Sequence, residues 1–319
     1  MGYSVKEIRK QFKDKGVFYT DRKLAQYIKS FIGENVREVY DPTCGNGSLL
    51  SVFADNIRKY GQEINPEQLE VAKQNLVNFT GYAGDTLKEP AFMNKKFDAI
   101  VANPPFSIKW EPPQEKDERF MDAPTIPTSS KADYAFILHI LYMLSGNGTA
   151  AVLNFPGVLY RGGREGEIRK WIIQNNWIDK VVHIEGGYFE DTSICTALII
   201  FRKNKSSTSI EFVDHEHNLS RLVPINEIEE NGYTLSVSSY IAIEEEEEEV
   251  DPIKLKNDIH KHILNGLKKS LDMELFISDL ENYSIIPLLT NIERLVKSYK
   301  NKILINRKRS ELSNSLFDD

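Results

Sequence analysis

The residues best able to do chemistry are Asn103-Pro104-Pro105-Phe106, which follow the apolar run Phe97–Ala102. Two prolines after a buried strand cannot continue its hydrogen-bonded ladder, and Pro104 restricts Asn103 to an extended backbone. Such a corner can turn two acceptors, the Asn103 side-chain oxygen and the Pro104 carbonyl, toward one point. Two acceptors there suit both hydrogens of an –NH2 group, and Phe106 can stack on the planar ring that carries it. The plain alternative is a proline turn that closes a strand.

Earlier in the chain, Asp41-Pro42-Thr43-Cys44-Gly45-Asn46-Gly47-Ser48 stands between a predicted strand and a predicted helix. Glycine at such a turn lets a ligand approach the backbone, and helix N–H groups then face the ligand. Glu63, at the end of the next strand, suits ribose hydroxyls. Asp85, in Gly84-Asp85-Thr86-Leu87, can accept a hydrogen bond from an adenine amino group. Either carboxylate alone is an ordinary strand-end group. In this order after a glycine turn they read as a nucleotide-cofactor set. Asp133 opens a later helix, where it either caps the helix or lines the site. Cys44 reads as a small packed residue rather than a nucleophile. The six histidines form no metal motif, and His215 and His217 read as surface residues. Arg161, Arg164 and Arg169 are equally compatible with phosphate contacts and with helix-surface charge.

The elements that must position these groups alternate. Strands are predicted at Val36–Tyr40, Lys59–Gln62, Phe97–Ala102, Thr149–Phe155, Lys180–Ile184 and Thr196–Arg202. Helices are predicted at Ser48–Arg58, Pro66–Phe79, Tyr134–Leu144 and Gly166–Asn175. The alternation points to an α/β fold with a mainly parallel sheet covered on both faces, and such sheets bind ligands beyond the carboxyl ends of their strands. Ser107–Lys131, with four prolines amid charges, reads as a long functional loop. After Tyr240 comes an acidic run, Glu244–Glu249, and then two amphipathic helices. Their apolar stripes are Ile259, Ile263, Leu267, Leu271 and Leu288, Ile292, Leu295, Tyr299, Ile303. The expected organisation is 1–243 as one domain and 244–319 as an acidic linker with a small helical region.

No apolar run reaches the length of a membrane span, and Met1–Lys15 lacks the apolar core of a signal peptide. Two distant cysteines give neither a zinc spacing nor a disulfide framework, which points to a reducing cytoplasm. The formal net charge is −7, and six glutamates at 244–249 account for most of it. A near-neutral body is not the strongly basic surface of a protein that grips nucleic acid alone.

Together, Gly16-Val17-Phe18-Tyr19-Thr20, Asp41–Gly47, Glu63, Asp85 and Asn103–Phe106 resemble the adenine-N6 DNA methyltransferases whose cofactor motif precedes the catalytic one. Ala132–Phe136, Gly148–Val152, Gly157–Arg161, Glu167–Arg169 and Gly187–Ile194 are similar to the modification subunit of type I restriction–modification systems. The likeness covers roughly residues 12 to 240. It implies a Rossmann-like sheet, S-adenosylmethionine as cofactor, and methyl transfer to an adenine flipped out of double-stranded DNA. By the same resemblance Asn103, Pro104, Pro105 and Phe106 are catalytic, with Phe106 and Asp133 on the substrate. Tyr19, Thr20, Asp41, Thr43, Gly45, Gly47, Glu63 and Asp85 bind the cofactor, and no metal is involved. Expected partners are a DNA-specificity subunit and a restriction subunit. That family carries a helical N-terminal domain before the Phe-Tyr-Thr block, where this chain has about fifteen residues, and it often has proline where this chain has Asp21. A stand-alone adenine methyltransferase, an amino methyltransferase acting on RNA or protein glutamine, and an idle binding scaffold are the alternative readings.

Overall fold

The computed structural model describes residues 20–186, 195–242, 252–281 and 283–314. Gly16 to Tyr19, the 187–194 block and the acidic run Glu244–Glu249 lie outside the described residues.

Among the described residues nine strands form one sheet: β1 Glu38–Asp41, β2 Arg58–Glu63, β3 Phe79–Ala83, β4 Phe97–Ala102, β5 Leu144–Asn154, β6 Ile178–Ile184, β7 Thr196–Arg202, β8 Ser209–Asp214 and β9 Leu219–Pro224. Their spatial order is β3-β2-β1-β4-β5-β7-β6-β8-β9. The first five in that order are mutually parallel. Strand β7 runs antiparallel to both β5 and β6, β8 is parallel to β6, and β9 closes the sheet antiparallel to β8. The central strands read as continuous apolar runs because both faces are covered. Alternate residues divide between two cores. Tyr40, Ile100, Val152 and Phe201 face one, and Val39, Val101, Leu153 and Ile200 face the other.

Helix α1 (Arg22–Ser30) and helix α2 (Pro66–Asn75) bury Leu24, Ile28, Leu69 and Ala72 in the second core. Asp21 caps α1 by accepting from the Lys23 N–H, and Asn65 caps α2 by accepting from the Glu67 N–H at 2.9 Å. Helix α3 (Asp133–Met143) is buried along almost its whole length and, with α4 (Arg164–Gln174), fills the first core. A short α5 (Ile225–Glu230) follows β9.

The fold corrects three expectations. No regular helix spans Ser48–Arg58; a single 3-10 turn occupies Leu50–Val52. Local side-chain bonds compete there with a helix: Asn46 Oδ1 accepts both the N–H and the hydroxyl of Ser48, and the Ser51 hydroxyl donates to the Ser48 carbonyl. The helix expected to reach Phe79 stops at Asn75, because Leu76 is extended and Asn78 takes φ +55°, reversing the chain into β3. Strands β3, β8 and β9 were not anticipated, although β8 buries alternate residues as a half-covered strand does. Ser107–Lys131 contains no helix or strand, as expected of a long loop.

The chain divides into two compact units, residues 1–243 and 244–319. In the second unit α6 (Pro252–Glu281) and α7 (Ile286–Asn314) are long helices. Ile259, Ile263 and Leu267 on α6, and Leu288, Leu295 and Tyr299 on α7, are exposed.

At the amino-terminal end of β2 the Lys59 side chain is buried, and its ammonium donates to the carbonyls of Ala54 at 2.9 Å, Val77 at 3.1 Å and Ile57 at 3.4 Å. Lys59→Met leaves these acceptors without a donor. The expected cost is about 1–3 kcal/mol of unfolding free energy, checked by urea denaturation; an unchanged midpoint would rule out this bracing role.

Candidate active site

Strands β1 and β4 lie side by side at the point where the winding of the sheet reverses, so the loops that leave their carboxyl ends face a common crevice. After β1, Asp41 Oδ1 accepts the Thr43 N–H at 2.9 Å and begins a tight turn. Gly47 holds φ +86°, and a Cβ there would lie 2.7 Å from Leu76 Cδ1, so neither backbone nor space admits a side chain. Glu63, at the end of β2, accepts the Gly45 N–H on one oxygen and the Asn65 N–H on the other, both at 2.9 Å. The expected helix N–H groups do not shape this loop; the carboxylate of Glu63 does. Cys44 packs against Gly61, where a Cβ would meet its Sγ at 2.7 Å.

Beyond β3, Asp85 Oδ1 accepts the Leu87 N–H at 2.9 Å and the Lys88 N–H at 3.4 Å. The next segment is held from behind by Arg119, a buried residue absent from the sequence expectations. Its guanidinium donates to the Thr86 carbonyl at 2.9 Å and the Leu87 carbonyl at 2.7 Å, and pairs with Asp117 at 2.6 Å. It also meets Nδ1 of His139, whose other ring nitrogen lies 3.2 Å from the Tyr40 hydroxyl. Burial, with Arg119 adding to it, pushes the His139 pKa down to about 3. Arg119 thus fastens the long loop to the Asp85 segment. Trp110 Nε1 fastens the loop to itself by donating to the Thr128 carbonyl at 2.9 Å.

The Asn103–Phe106 corner follows β4. Asn103 Nδ2 donates to Thr20 Oγ1 at 3.4 Å, which turns the amide and leaves Oδ1 for another donor. Pro104 is buried, Pro105 exposed and Phe106 half-buried. A cavity of about 670 Å³, the size of a cofactor pocket, is bounded by Thr43, Gly45, Glu63, Asp85, Asn103 and Pro105, with Ile108 and Trp110 of the long loop. Thr20, Asp41, Gly47, Pro104, Phe106 and Asp133 do not line it. Tyr19 lies outside the described residues. The structure therefore brings six of the expected residues onto one cavity.

Asp133 neither caps its helix nor lines the cavity. It is 2% exposed and accepts from the Ser107 N–H at 3.0 Å, the Ser107 hydroxyl at 3.3 Å and Arg161 at 3.0 Å. Arg161 also pairs with Glu165, and Arg169 is buried against the carbonyls of Tyr233, Val158 and Arg161. Two of the three arginines are therefore braces, and only Arg164 is exposed. Spacing showed no metal motif, yet pairing of β6 with β7 collects His183, Glu185 and Cys195 with their donor atoms within 4.8 Å. There Glu185 accepts from the Cys195 thiol at 2.9 Å and lies 3.3 Å from His183 Nε2.

Burial pushes the Asp41 carboxyl up to about 8, with the negative Glu63 adding to it and the Thr43 N–H opposing it. The Cys44 thiol is pushed up by burial, with Asp41 and Glu63 adding to it, which keeps it a protonated packing group. A buried carboxyl whose folded pKa exceeds the unfolded value of about 4 binds its proton more tightly in the folded state. Folded stability therefore falls as pH rises from about 4 to about 8. Asp41→Asn removes that slope, so the variant gains more in melting temperature over the parent at pH of about 8 than at about 5. An equal difference at both pH values would contradict a buried, protonated Asp41.

The profile of the N-6 DNA methylase family matches residues 5–222. The type I restriction enzyme MpnII methylase subunit of Mycoplasma pneumoniae is 32% identical over 84% of this chain and 60% of its own. The MjaIX methylase subunit of Methanocaldococcus jannaschii is 27% identical over 81% of this chain and 57% of its own. The chain thus spans less than two thirds of the length of these relatives. The crystal structure of the type I restriction-modification methyltransferase subunit from Streptococcus thermophilus superposes with a TM-score of 0.62 at 29% identity, over 70% of this chain and 59% of that one. The family profile spans more than half of the chain and the MpnII subunit is 32% identical over 84% of it, so the chain belongs to the N-6 DNA methylase family.

Proposed function

We propose that this chain transfers a methyl group from S-adenosylmethionine to the N6 amino group of adenine in double-stranded DNA, as the modification subunit of a type I restriction–modification system. The observation that carries this reading is the Asn103 amide, turned by Thr20 at the edge of the cavity with its oxygen left for an amine.

The residues around the cavity fit the cofactor. Gly45 lines the cavity without a side chain, Gly47 shapes the turn behind it, and Glu63 retains lone pairs beyond its two backbone bonds for ribose hydroxyls. Asp85 spends Oδ1 on backbone N–H groups, which leaves Oδ2 for an adenine amine. By the family resemblance Tyr19 and Thr20 serve the methionine end of the cofactor; Thr43 lines the cavity, and Asp41 holds that turn through the Thr43 N–H. The cofactor supplies a methyl on a sulfonium, already a good leaving group, so the protein needs no nucleophile of its own. Asn103 Oδ1 and the Pro104 carbonyl accept the two N6 hydrogens and direct the nitrogen lone pair. Phe106 stacks on the flipped base, with Pro105 fixing its approach. The N–C bond would form as the methyl–sulfur bond breaks, leaving a neutral thioether, and the proton lost from N6 would pass to solvent by way of these acceptors. Positioning and fixed dipoles carry the rate.

Dependence on a separate DNA-specificity subunit, with a restriction subunit in the same system, is supported by the near-neutral body and by the exposed apolar residues of α6 and α7. The loop at 107–131 walls the cavity, which weighs against its serving as the DNA reader of a stand-alone enzyme. No helix among the described residues is long and apolar enough to cross a membrane. The cytoplasm, where chromosomal DNA and a reducing milieu coincide, is the compartment of this reading.

The test is transfer of tritiated methyl from S-adenosylmethionine by the chain co-expressed with its specificity subunit, offered duplex DNA, RNA and protein in parallel. Label is expected on DNA adenine, and Asn103→Ala is expected to lower turnover by about 10²–10³-fold. Label on RNA or glutamine, or full turnover by the variant, overturns the reading.

A further inference from the structure

The acceptor corner works only if its backbone is held, and the structure shows an expensive device at its exit. Ser107, directly after Phe106, has φ +52°, a conformation costly for a residue with a side chain. Its N–H and hydroxyl are both bound by Asp133. Behind Asp133 stands Arg161, which donates to Asp133 Oδ2 at 3.0 Å and pairs with Glu165 through Nε and Nη2. The three side chains are 1%, 16% and 5% exposed respectively. Arg161 is itself fixed: its carbonyl accepts from buried Arg169 at 2.7 Å, and its N–H donates to the Gly157 carbonyl at 3.0 Å. A Cβ on Gly157 would collide with the guanidinium. The backbone adds a second tie, Ala132 N–H to the Ile108 carbonyl at 2.8 Å.

Two carboxylates around one guanidinium, buried together, are a poor way to gain stability, since apolar residues of like volume usually do as well or better. What such a group provides is direction. Each oxygen of Asp133 has an assigned donor, and one of them is the N–H of the peptide that joins Phe106 to Ser107, the exit of the corner.

We infer that Asp133 is a positioning residue for the methyl acceptor: held by Arg161 and Glu165, it fixes the Ser107 backbone and so the Asn103–Phe106 corner, without touching substrate or cofactor. This rests on the proposed adenine methylation and replaces the sequence expectation that Asp133 meets the substrate. The Asp85 end of the cavity is built on other braces, Arg119 among them, so loss of Asp133 acts on the corner and not on cofactor binding.

The experiment uses the chain with its specificity subunit and compares Asp133→Ala, Asp133→Asn and the parent. Turnover, cofactor dissociation constant, DNA dissociation constant and melting temperature are measured, with 2-aminopurine fluorescence at the target position reporting base stacking in the pocket. Asp133→Ala is expected to lower kcat by about 10–100-fold, the scale of a misplaced reacting group, with cofactor and DNA affinities within about twofold and altered 2-aminopurine emission. Asp133→Asn keeps an acceptor for the Ser107 N–H and is expected to fall between. Parent-like kcat in both variants overturns the assignment. So does a kcat loss matched by weakened cofactor binding and a lowered melting temperature in both, which marks a bracing role for the whole fold. Absence of adenine methylation by the parent complex is a different outcome: it overturns the proposed function, and this assignment with it.

Discussion

Strand β1 pairs with β2 on one side and β4 on the other, all parallel, and that placement decides where chemistry can occur. Parallel strands end at the same edge, and the reversal of winding between β1 and β4 parts the loops that leave them. The glycine turn leaves β1, Glu63 ends β2, Asp85 follows β3 and the Asn103 corner follows β4. A one-residue slip of β4 against β1 would exchange its two faces, putting Ala99 and Val101 into the core now filled by Ile100 and Ala102. The apolar content of both cores is therefore what fixes the distance between the glycine turn and the Asn103–Phe106 corner.

Around this frame the site is assembled from buried or half-buried polar groups, each with its partners present. Glu63 spans two backbone N–H groups, Arg119 two carbonyls, and Asp133 a backbone N–H and a guanidinium. Such groups are costly when unpaired and specific when satisfied. They fix loops that have no helix or strand of their own, which is how a segment as irregular as 107–131 can form a wall.

The positions of strands β2, β4, β5, β6 and β7 and of helices α2 to α4 were legible because apolar runs and proline or glycine punctuation mark them directly. So was the set Thr43, Gly45, Glu63, Asp85, Asn103 and Pro105, whose members stand at strand ends. What was not legible depended on competition or on distance in sequence. Ser48 to Arg58 has helical composition, but Asn46, Ser48 and Ser51 spend their side chains on the local backbone. Phe79 continues the period of α2 by coincidence and belongs to β3. Arg119, Arg161 and Arg169 look like surface charge in the chain and become braces only when distant carbonyls and carboxylates arrive beside them. The contribution of Thr20 to Asn103 joins residues at opposite ends of the cofactor motifs, and no local pattern announces it.

The wall segment is pinned near both ends and in the middle: at Ser107 and Ile108 by Asp133 and Ala132, at Arg119 by the carbonyls after Asp85, and at Trp110 by Thr128 and Ser129. It is therefore a fastened wall of the cavity rather than a dangling loop, and its exposed residues between these ties cluster at Gln114 to Lys116 and at Met121 to Ile126. Drift in length among descendants of this gene is absorbed most easily in those two stretches; an added residue between Ser107 and Trp110 would pull on the cavity wall and on the Asn103–Phe106 corner at once.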